Sequence, residues 1–356
     1  METIMDKTVR ACILFLTFVV AAWVLFWLKG VLAPFALAVF FWLIIDAFAR
    51  WMDQKMSFLP YWATLAIAIL IVAIGIGGIV IIIADTAFDV AHESTRYEAR
   101  LNAIASPILE WFGFGSWGDL TSKYNLTDKL PALLGGFANS IQGVIASFAF
   151  IAIYVAFLFA AQHSFPKKMD DLFPDLEKRR QAALVGERIR ISIEKYLGIQ
   201  TLMSVIMTAL SFGVMKAFGL DNALFWALVI FILNYIPVVG SIMAGILPAM
   251  FALVQFETLL PVGIMAGLLF VIQFIISNTI QPKMMGDSMN MSALVVILSL
   301  VLWQGLWGGV GAFLSAPLTV IIMIILGQFK TTHWIAILLS ADGDLDIGPK
   351  PVTQSM

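Results

Sequence analysis

Long runs of apolar residues, separated by short polar stretches, follow one another along the chain from residue 11 to residue 329. A helix needs roughly 20 apolar residues to cross a hydrocarbon core of about 30 Å, because each residue adds about 1.5 Å. The runs are 11–28, 31–49, 60–84, 137–162, 196–219, 222–254, 258–281 and 291–328. Since backbone in lipid must satisfy its own hydrogen bonds, the pattern predicts an all-α, polytopic membrane protein with about eight spans.

Two of these runs are too long for a single straight helix, and both lie in the C-terminal half. Proline removes an intrahelical hydrogen bond and glycine loosens a helix. The interrupting residues are Pro237, Gly240, Gly245 and Pro248 in the run 222–254, and Gly305, Gly308, Gly309, Gly311 and Pro317 in the run 291–328. We predict that both segments are bent, broken or re-entrant, with the opened backbone buried in protein or lining a water-filled cavity.

The polar stretches divide the chain into parts with different predicted roles. In chain order these are a three-span unit (1–84), an amphipathic helical insert on the extracytoplasmic side (85–136), a fourth span (137–163), a basic amphipathic helix on the cytoplasmic side (164–195), a transport core with the broken helices (196–330) and a polar cytoplasmic tail (331–356). The basic helix has an apolar stripe opposite its Lys and Arg residues, which is typical of a helix at a membrane surface or against a partner.

The distribution of basic residues orients this layout. With eight crossings, 14 of the 21 Lys and Arg residues fall on the same side as the N-terminus. Because cytoplasmic loops carry the excess of basic residues, we predict that both termini are cytoplasmic.

Composition excludes several other classes of protein. The chain is 61% hydrophobic and 12% charged, whereas a soluble domain carries about 25% charged residues. A net charge of −2 predicts no nucleic-acid partner. Cys12 is the single cysteine, and the three histidines lie far apart, so we predict no metal site. A phosphate-binding loop motif is also absent from the sequence, and we predict no catalytic residue, no cofactor and no enzyme activity.

Uncharged polar residues within the predicted spans are the first candidates for a functional site, because three of the amides lie just before helix-breaking residues. Broken helices of secondary transporters bind substrates through their free backbone ends near the middle of the membrane. The predicted substrate pathway consists of Asn234, Pro237, Gly240, Asn278, Gln281, Pro282, Gln304 and Pro317. The alternative for each amide is hydrogen bonding between helices without a role in transport.

Carboxylates near the predicted span ends are the candidates for ion coupling. They are Asp221, Glu257 and Asp287. Asp46 also lies near a span end, where we expect a carboxylate to remain hydrated. No carboxylate falls in the middle of a span, which argues against a buried acid as the sole carrier of a proton or sodium ion.

Two long segments, 218–250 and 278–322, closely resemble the autoinducer-2 exporter family of bacterial membrane proteins. The strongest marks are the N-Y-I-P-x-x-G element from Asn234 to Gly240 and the G-x-x-G-A-x-x-x-x-P-L element from Gly308 to Leu318. The eight-span layout, with an insert after the third span and a basic one after the fourth, is also similar to that family. The resemblance therefore covers nearly the whole chain.

The resemblance implies a secondary-type exporter of small solutes in the bacterial inner membrane, surrounded by lipid and homo-oligomeric, with a pentamer as one such assembly. Some relatives are implicated in release of the signal autoinducer-2, and others in sodium or lithium exchange for protons. This chain departs from the family pattern at Ser292-Ala293, where many members carry His-Pro, and at Asp287, where many carry Lys. A mechanism that needs that histidine is thus in doubt here.

Three functional hypotheses follow. The first is export of a small polar solute, with autoinducer-2 as the leading candidate, by alternating access around the broken helices. The second is a sodium (lithium)/proton antiporter that uses the carboxylates named above. The third is a non-transporting membrane scaffold that binds a soluble partner through the basic helix.

Overall fold

The computed structural model describes residues 2–56, 58–92, 148–162, 164–285 and 290–343. Within these ranges the chain is helical, and extended pairing is limited to an isolated bridge between Met291 and Ser340. The prediction of an all-α membrane protein is confirmed. Most of the predicted insert, the start of the predicted fourth span, Asp287 and the end of the tail lie outside the described residues.

The helices and their bounds are, in chain order, α1 Glu2–Trp27, α2 Lys29–Lys55, α3 Tyr61–His92, α4 Phe148–Gln162, α5 Phe165–Leu172, α6 Leu176–Ala217, α7 Ala223–Leu233, α8 Val239–Gln255, α9 Leu259–Ile275, a π-helical segment Ile276–Ile280, α10 Gln281–Met285, α11 Ala293–Trp307, α12 Gly309–Gly327 and α13 His333–Leu339. Among the described residues, five helical stretches are long and apolar enough to cross a membrane, namely Lys29–Lys55, Tyr61–Ile82, Leu176–Ala217, Leu259–Met285 and Gly309–Gly327. Helices of this length and hydropathy are those expected of a multi-pass membrane protein.

The helices belong to two compact units. The first unit takes in residues 1–44, 150–194 and 287–356, and the second takes in residues 45–149 and 195–286. Helices α2 and α6 each contribute one part to the first unit and the other part to the second.

Helix α6 is longer than predicted because it continues through the boundary expected between the basic helix and the fifth span. It contains 42 residues, or about 63 Å at 1.5 Å per residue, roughly twice the thickness of a hydrocarbon core. Lys195 and Tyr196 lie inside it, and no proline interrupts the sequence between them and its ends. In the first unit, Val185 and Ile189 from its basic part pack against apolar residues of α12 and α13.

The run 222–254, predicted as one crossing with a break, is a helical hairpin formed by α7 and α8, which we name the first hairpin. Its two ends meet at the side chain of Gln255. The Oε1 atom of Gln255 accepts from the Asp221 N–H at 2.7 Å, and its Nε2 donates to the Gly219 carbonyl at 2.8 Å. Helix α7 has 11 residues, about 16 Å, which is half a membrane core. The segment therefore turns back on itself as two short helices and does not form one long helix.

The run 291–328 is a second hairpin, formed by α11 and α12. The chain reverses at Gly308, whose φ of 64° favours glycine. The indole N–H of Trp303 donates to the Thr319 hydroxyl at 3.1 Å between the two helices. Near the start of α11, the Ser292 N–H donates at 3.2 Å to the carbonyl of Leu339, a residue that follows α12. Both predicted breaks are thus reversals of the chain.

The region predicted as a polar tail begins with an apolar helix. Helix α13 packs against α12 through Ala336, which is fully buried, together with Val320, Met323 and Ile324. This helix of seven residues lies in the segment 331–356 that the sequence predicts to be a polar cytoplasmic tail, and it is too short to be recognised as a span.

Close packing in the second hairpin depends on Gly311. A Cβ atom at this position would lie 1.8 Å from the Trp303 carbonyl oxygen, whereas a Cβ at Gly309 would meet nothing within 4 Å. We predict that Gly311→Ala lowers the free energy of unfolding by about 1 to 3 kcal/mol, and that Gly309→Ala leaves it unchanged or raises it. Thermal unfolding of the detergent-solubilised variants measures both. Equal melting temperatures for the two variants would contradict the packing described here.

Candidate functional site

The tip of the first hairpin is a strained reversal between α7 and α8. The Val239 N–H donates to the Pro237 carbonyl at 2.6 Å, which closes a three-residue turn around Val238 with φ 63° and ψ −56°. A turn of this hand is rare and strained, and positive φ is exceptional for a β-branched residue. Strain of this kind is retained where the surrounding structure enforces it, and it is concentrated at functional sites.

Gly240 allows the two helices of the first hairpin to approach closely at this tip. A Cβ atom at Gly240 would lie 1.9 Å from the Leu233 carbonyl oxygen. Pro237 lies in the turn itself and has no N–H, so α7 cannot continue through it. Both residues predicted for the pathway therefore shape the tip through the backbone.

Four uncharged side chains meet at the tip, and we name Gln200, Ser204, Asn234 and Gln281 the amide cluster. The Nε2 atom of Gln200 donates to the Asn234 carbonyl at 2.7 Å, and the Nδ2 atom of Asn234 donates to the Ser204 hydroxyl at 2.9 Å. Gln281 Nε2 donates to Gln200 Oε1 at 2.9 Å. The cluster thus connects α6, the hairpin tip and α10.

Three of the four residues of the amide cluster are buried, Gln281 is half-buried, and the cluster retains hydrogen-bonding capacity. The residue exposures of Gln200, Ser204 and Asn234 are 3%, 0% and 7%. Each carboxamide can donate twice and accept twice, and the bonds described above use only part of that capacity. Because the cluster contains no ionisable group, it can exchange hydrogen bonds with hydroxyl or carbonyl oxygens without charge selection.

Beside the amide cluster, a second pair of hydroxyls joins the tip to α6. The Thr201 hydroxyl lies 2.7 Å from the Tyr235 hydroxyl, and it donates to the Leu197 carbonyl at 2.7 Å. Tyr235 follows Asn234 directly, so two successive residues at the end of α7 are held by α6. Both residues therefore hold the tip against α6.

Pro282 widens its helix rather than breaking it. The π-helical segment Ile276–Ile280 lies directly before Gln281 and Pro282. Proline lacks an N–H, and its ring crowds the carbonyl four residues earlier, so the preceding turn must adjust. Asn278 in this segment is exposed, and its Nδ2 donates to the Phe274 carbonyl of its own helix at 3.1 Å. Asn278 is therefore not a member of the amide cluster.

The remaining predicted pathway residues belong to the first unit. Gln304 is exposed on α11, which continues past Gly305 and ends at Trp307. Pro317 is buried inside α12. The structure thus brings together Asn234 and Gln281 of the predicted amides, with Pro237 and Gly240 at the same tip.

The predicted ion-coupling carboxylates lie at the base of the first hairpin or outside the described residues. Asp221 is half-buried between α6 and α7, where its N–H is bound to Gln255. Glu257 is exposed, two residues beyond the end of α8. Asp287 lies outside the described residues. Asp221 and Glu257 therefore share one end of the second unit.

Sequence reasoning missed Gln200, although a signal for it exists. Gln200, Ser204, Thr208 and Ser211 recur at intervals of four, four and three residues, which places them on one face of α6. A polar face on an otherwise apolar helix is the pattern that identifies it.

Asp46 is buried, whereas we expected its carboxylate to remain hydrated at a span end. It is 1% exposed. One carboxylate oxygen pairs with the Arg50 guanidinium, and the other accepts from the Tyr61 hydroxyl at 2.6 Å. The pair joins α2 to the start of α3 within the second unit. Since removing one partner of a buried ion pair is costly, this contact anchors the two helices to each other.

Comparison with known proteins agrees with this architecture. The sequence pattern described as AI-2E family transporter matches residues 13–331. A Haemophilus influenzae protein, named as a candidate transport protein, is 27% identical over 325 residues, which are 89% of this chain and 91% of that protein. The AI-2 transport protein TqsA of Escherichia coli is 30% identical over 237 residues, 66% of this chain and 67% of that protein.

A more distant relative is the sodium-lithium/proton antiporter of Halobacillus andaensis, which is 22% identical over 204 residues, 56% of each protein. The family match extends over both units and both hairpins. The apolar helices and the matches to transport proteins identify the chain as a multi-pass membrane transporter. The chain belongs to the AI-2E family of transporters.

Proposed function

We propose that this chain is a secondary-type exporter of a small, neutral, hydroxylated solute, with autoinducer-2 as the first candidate. The observation that carries the proposal is the amide cluster at the strained tip of the first hairpin. Discontinuous helices with exposed backbone ends and nearby polar side chains are the substrate sites of secondary transporters. Uncharged amides favour a neutral solute rich in hydroxyl groups.

The two hairpins also refine the proposed orientation in the bacterial inner membrane. If each hairpin enters and leaves on one side, six crossings remain and both termini stay on the same side. Lys283 then moves from the outer to the inner side, and 15 instead of 14 of the 21 basic residues lie inside. The excess of basic residues therefore supports cytoplasmic termini slightly better with hairpins than with eight crossings.

Lipid and further copies of the chain are the proposed neighbours. Helix α1 exposes large apolar side chains, including Phe15, Trp23 and Trp27. Such a surface suits lipid or helix packing in a homo-oligomer, for which the family resemblance suggests a pentamer.

Asn234 and Asn278 provide a matched test of the site. We expect Asn234→Ala to lower solute efflux at least tenfold, because it removes the side chain that connects the tip to Ser204. Asn278→Ala removes the same chemical group from an exposed position, so we expect efflux near the wild-type rate. Both rates are measured as uptake of autoinducer-2 into everted membrane vesicles, in which an exporter transports solute inward. Immunoblotting determines the amount of protein in each preparation.

The assignment of the amide cluster fails if the two variants transport equally well. Gln281→Ala extends the comparison to α10, with Gln304→Ala as its exposed control. We expect the same difference between this second pair.

A second candidate function is sodium (lithium)/proton antiport, favoured by the half-buried residue Asp221, whose N–H donates to Gln255, and by the Halobacillus relative. If antiport occurs, sodium or lithium added to everted vesicles dequenches a pH-sensitive dye, and Asp221→Asn abolishes the signal. Glu257→Gln, at an exposed site, should leave it intact. A wild-type protein that gives no dequenching with either ion would exclude antiport.

A further inference from the structure

Asp46 is the one charged side chain that is buried among those that the structure describes. It lies in α2, a helix long and apolar enough to cross a membrane. Charged groups in such helices are costly, and those that are kept mark ion pathways and proton relays. A buried ion pair is often no more stabilising than apolar residues of the same volume. Stability alone therefore does not account for a carboxylate at this position.

The contacts of Asp46 depend on its negative charge. One carboxylate oxygen pairs with the Arg50 guanidinium, and the other accepts from the Tyr61 hydroxyl at 2.6 Å. An ionised carboxylate only accepts hydrogen bonds, whereas a protonated one is uncharged and carries an O–H donor. A proton on Asp46 ends the ion pair with Arg50. It also weakens the bond from Tyr61, because charge-assisted hydrogen bonds are roughly twice as strong as neutral ones.

Both partners of Asp46 reach the surface of the chain, although the carboxylate between them is buried. The Arg50 side chain is 32% exposed, and Tyr61 is 39% exposed. The charged groups that act on Tyr61 are Asp46, Arg50 and Asp53, all on α2. A phenol hydroxyl both donates and accepts hydrogen bonds. Tyr61 can thus pass a proton between the surface and Asp46.

The hydrogen bond from Tyr61 also relates Asp46 to the first hairpin. Tyr61 is the first residue of α3, and α3 packs against α7. Helix α7 ends directly before Asn234 of the amide cluster. All of these residues belong to the second unit. A change in the bond between Asp46 and Tyr61 therefore acts on a helix that contacts the hairpin.

We propose that Asp46 is the proton-binding site that couples solute export to the proton gradient. In its ionised state, Asp46 holds the start of α3 through Tyr61. In its protonated state, it releases Arg50 and Tyr61, and α3 shifts against the hairpin. A ligand changes a conformational equilibrium only if it binds the two states differently, and the loss of both contacts supplies that difference for the proton. The inference rests on the proposed function, because it needs a solute that this chain transports.

The Arg50 guanidinium makes a proton a better ligand for Asp46 than a metal ion. A sodium or lithium ion bound to the carboxylate lies close to the positive charge of Arg50, and like charges at such a distance repel each other. A proton instead neutralises the carboxylate, after which the partly exposed guanidinium can turn toward solvent. The geometry therefore favours coupling to protons.

The test compares uptake driven by a gradient with exchange that needs none. Everted vesicles take up autoinducer-2 under an imposed pH gradient, acid inside, or exchange it for autoinducer-2 loaded beforehand. Asp46→Asn resembles the protonated acid and cannot release a proton. We expect this variant to lower gradient-driven uptake about tenfold or more, with exchange near the wild-type rate, because exchange does not require the carrier to lose its proton. Asp85→Asn, at an exposed site on α3, is the matched control and should keep both rates.

A double variant keeps the test valid if Asp46→Asn alone folds poorly. Asp46→Asn combined with Arg50→Gln removes both charges, so neither is left without its partner. We expect the double variant to exchange autoinducer-2 without responding to the gradient. Gradient-driven uptake in the double variant would mean that the pair only holds α2 and α3 together, and the proposal would be wrong.

Other results would overturn the proposal in distinguishable ways. Gradient-driven uptake that persists in Asp46→Asn places proton binding elsewhere. Loss of both uptake and exchange at an unchanged melting temperature places Asp46 in solute binding instead of coupling. A wild-type protein that exchanges autoinducer-2 but ignores the gradient refutes the coupling alone. A wild-type protein that does neither refutes the proposed function as well.

Discussion

A peptide carbonyl at the end of a helix costs several kcal/mol within hydrocarbon unless a donor reaches it. The first hairpin creates such ends where the chain reverses, and Gln200 supplies the donor for the Asn234 carbonyl. A protein side chain, rather than solvent, thus makes the reversal tolerable at that carbonyl. The same arrangement gathers uncharged donors and acceptors beside a strained turn, and this is where we propose that a neutral solute binds.

The helices and the two interruptions could be predicted from the sequence, because apolar run length and helix-breaking residues determine them. The direction of the chain after each interruption could not. A run of 33 residues such as 222–254 fits one bent crossing or two short helices that turn back. The side chain of Gln255, which joins both ends of the first hairpin, decides between them, and this is a contact between distant positions.

The candidate site could also be predicted from the sequence only in part. Asn234 and Gln281 could be selected because they lie beside prolines, but helix phase decides whether an amide points toward its neighbours. Asn278 lies three residues before Gln281 and would share its face in a regular α-helix. The wider turn of the π-helical segment rotates the two apart. Asp46 was missed for a related reason, since only folding brings Tyr61 and Arg50 to its carboxylate.

We propose that the tip of the first hairpin faces a water-filled pathway that the solute occupies. Because Cys12 is the single cysteine, a Cys12→Ser background allows one thiol to be placed at the tip by Val238→Cys. A maleimide that cannot cross membranes reacts with a thiolate, which forms in water. We expect the maleimide to label Val238→Cys in one vesicle orientation, and autoinducer-2 to protect the thiol from labelling. Absence of labelling in both right-side-out and everted vesicles would contradict it.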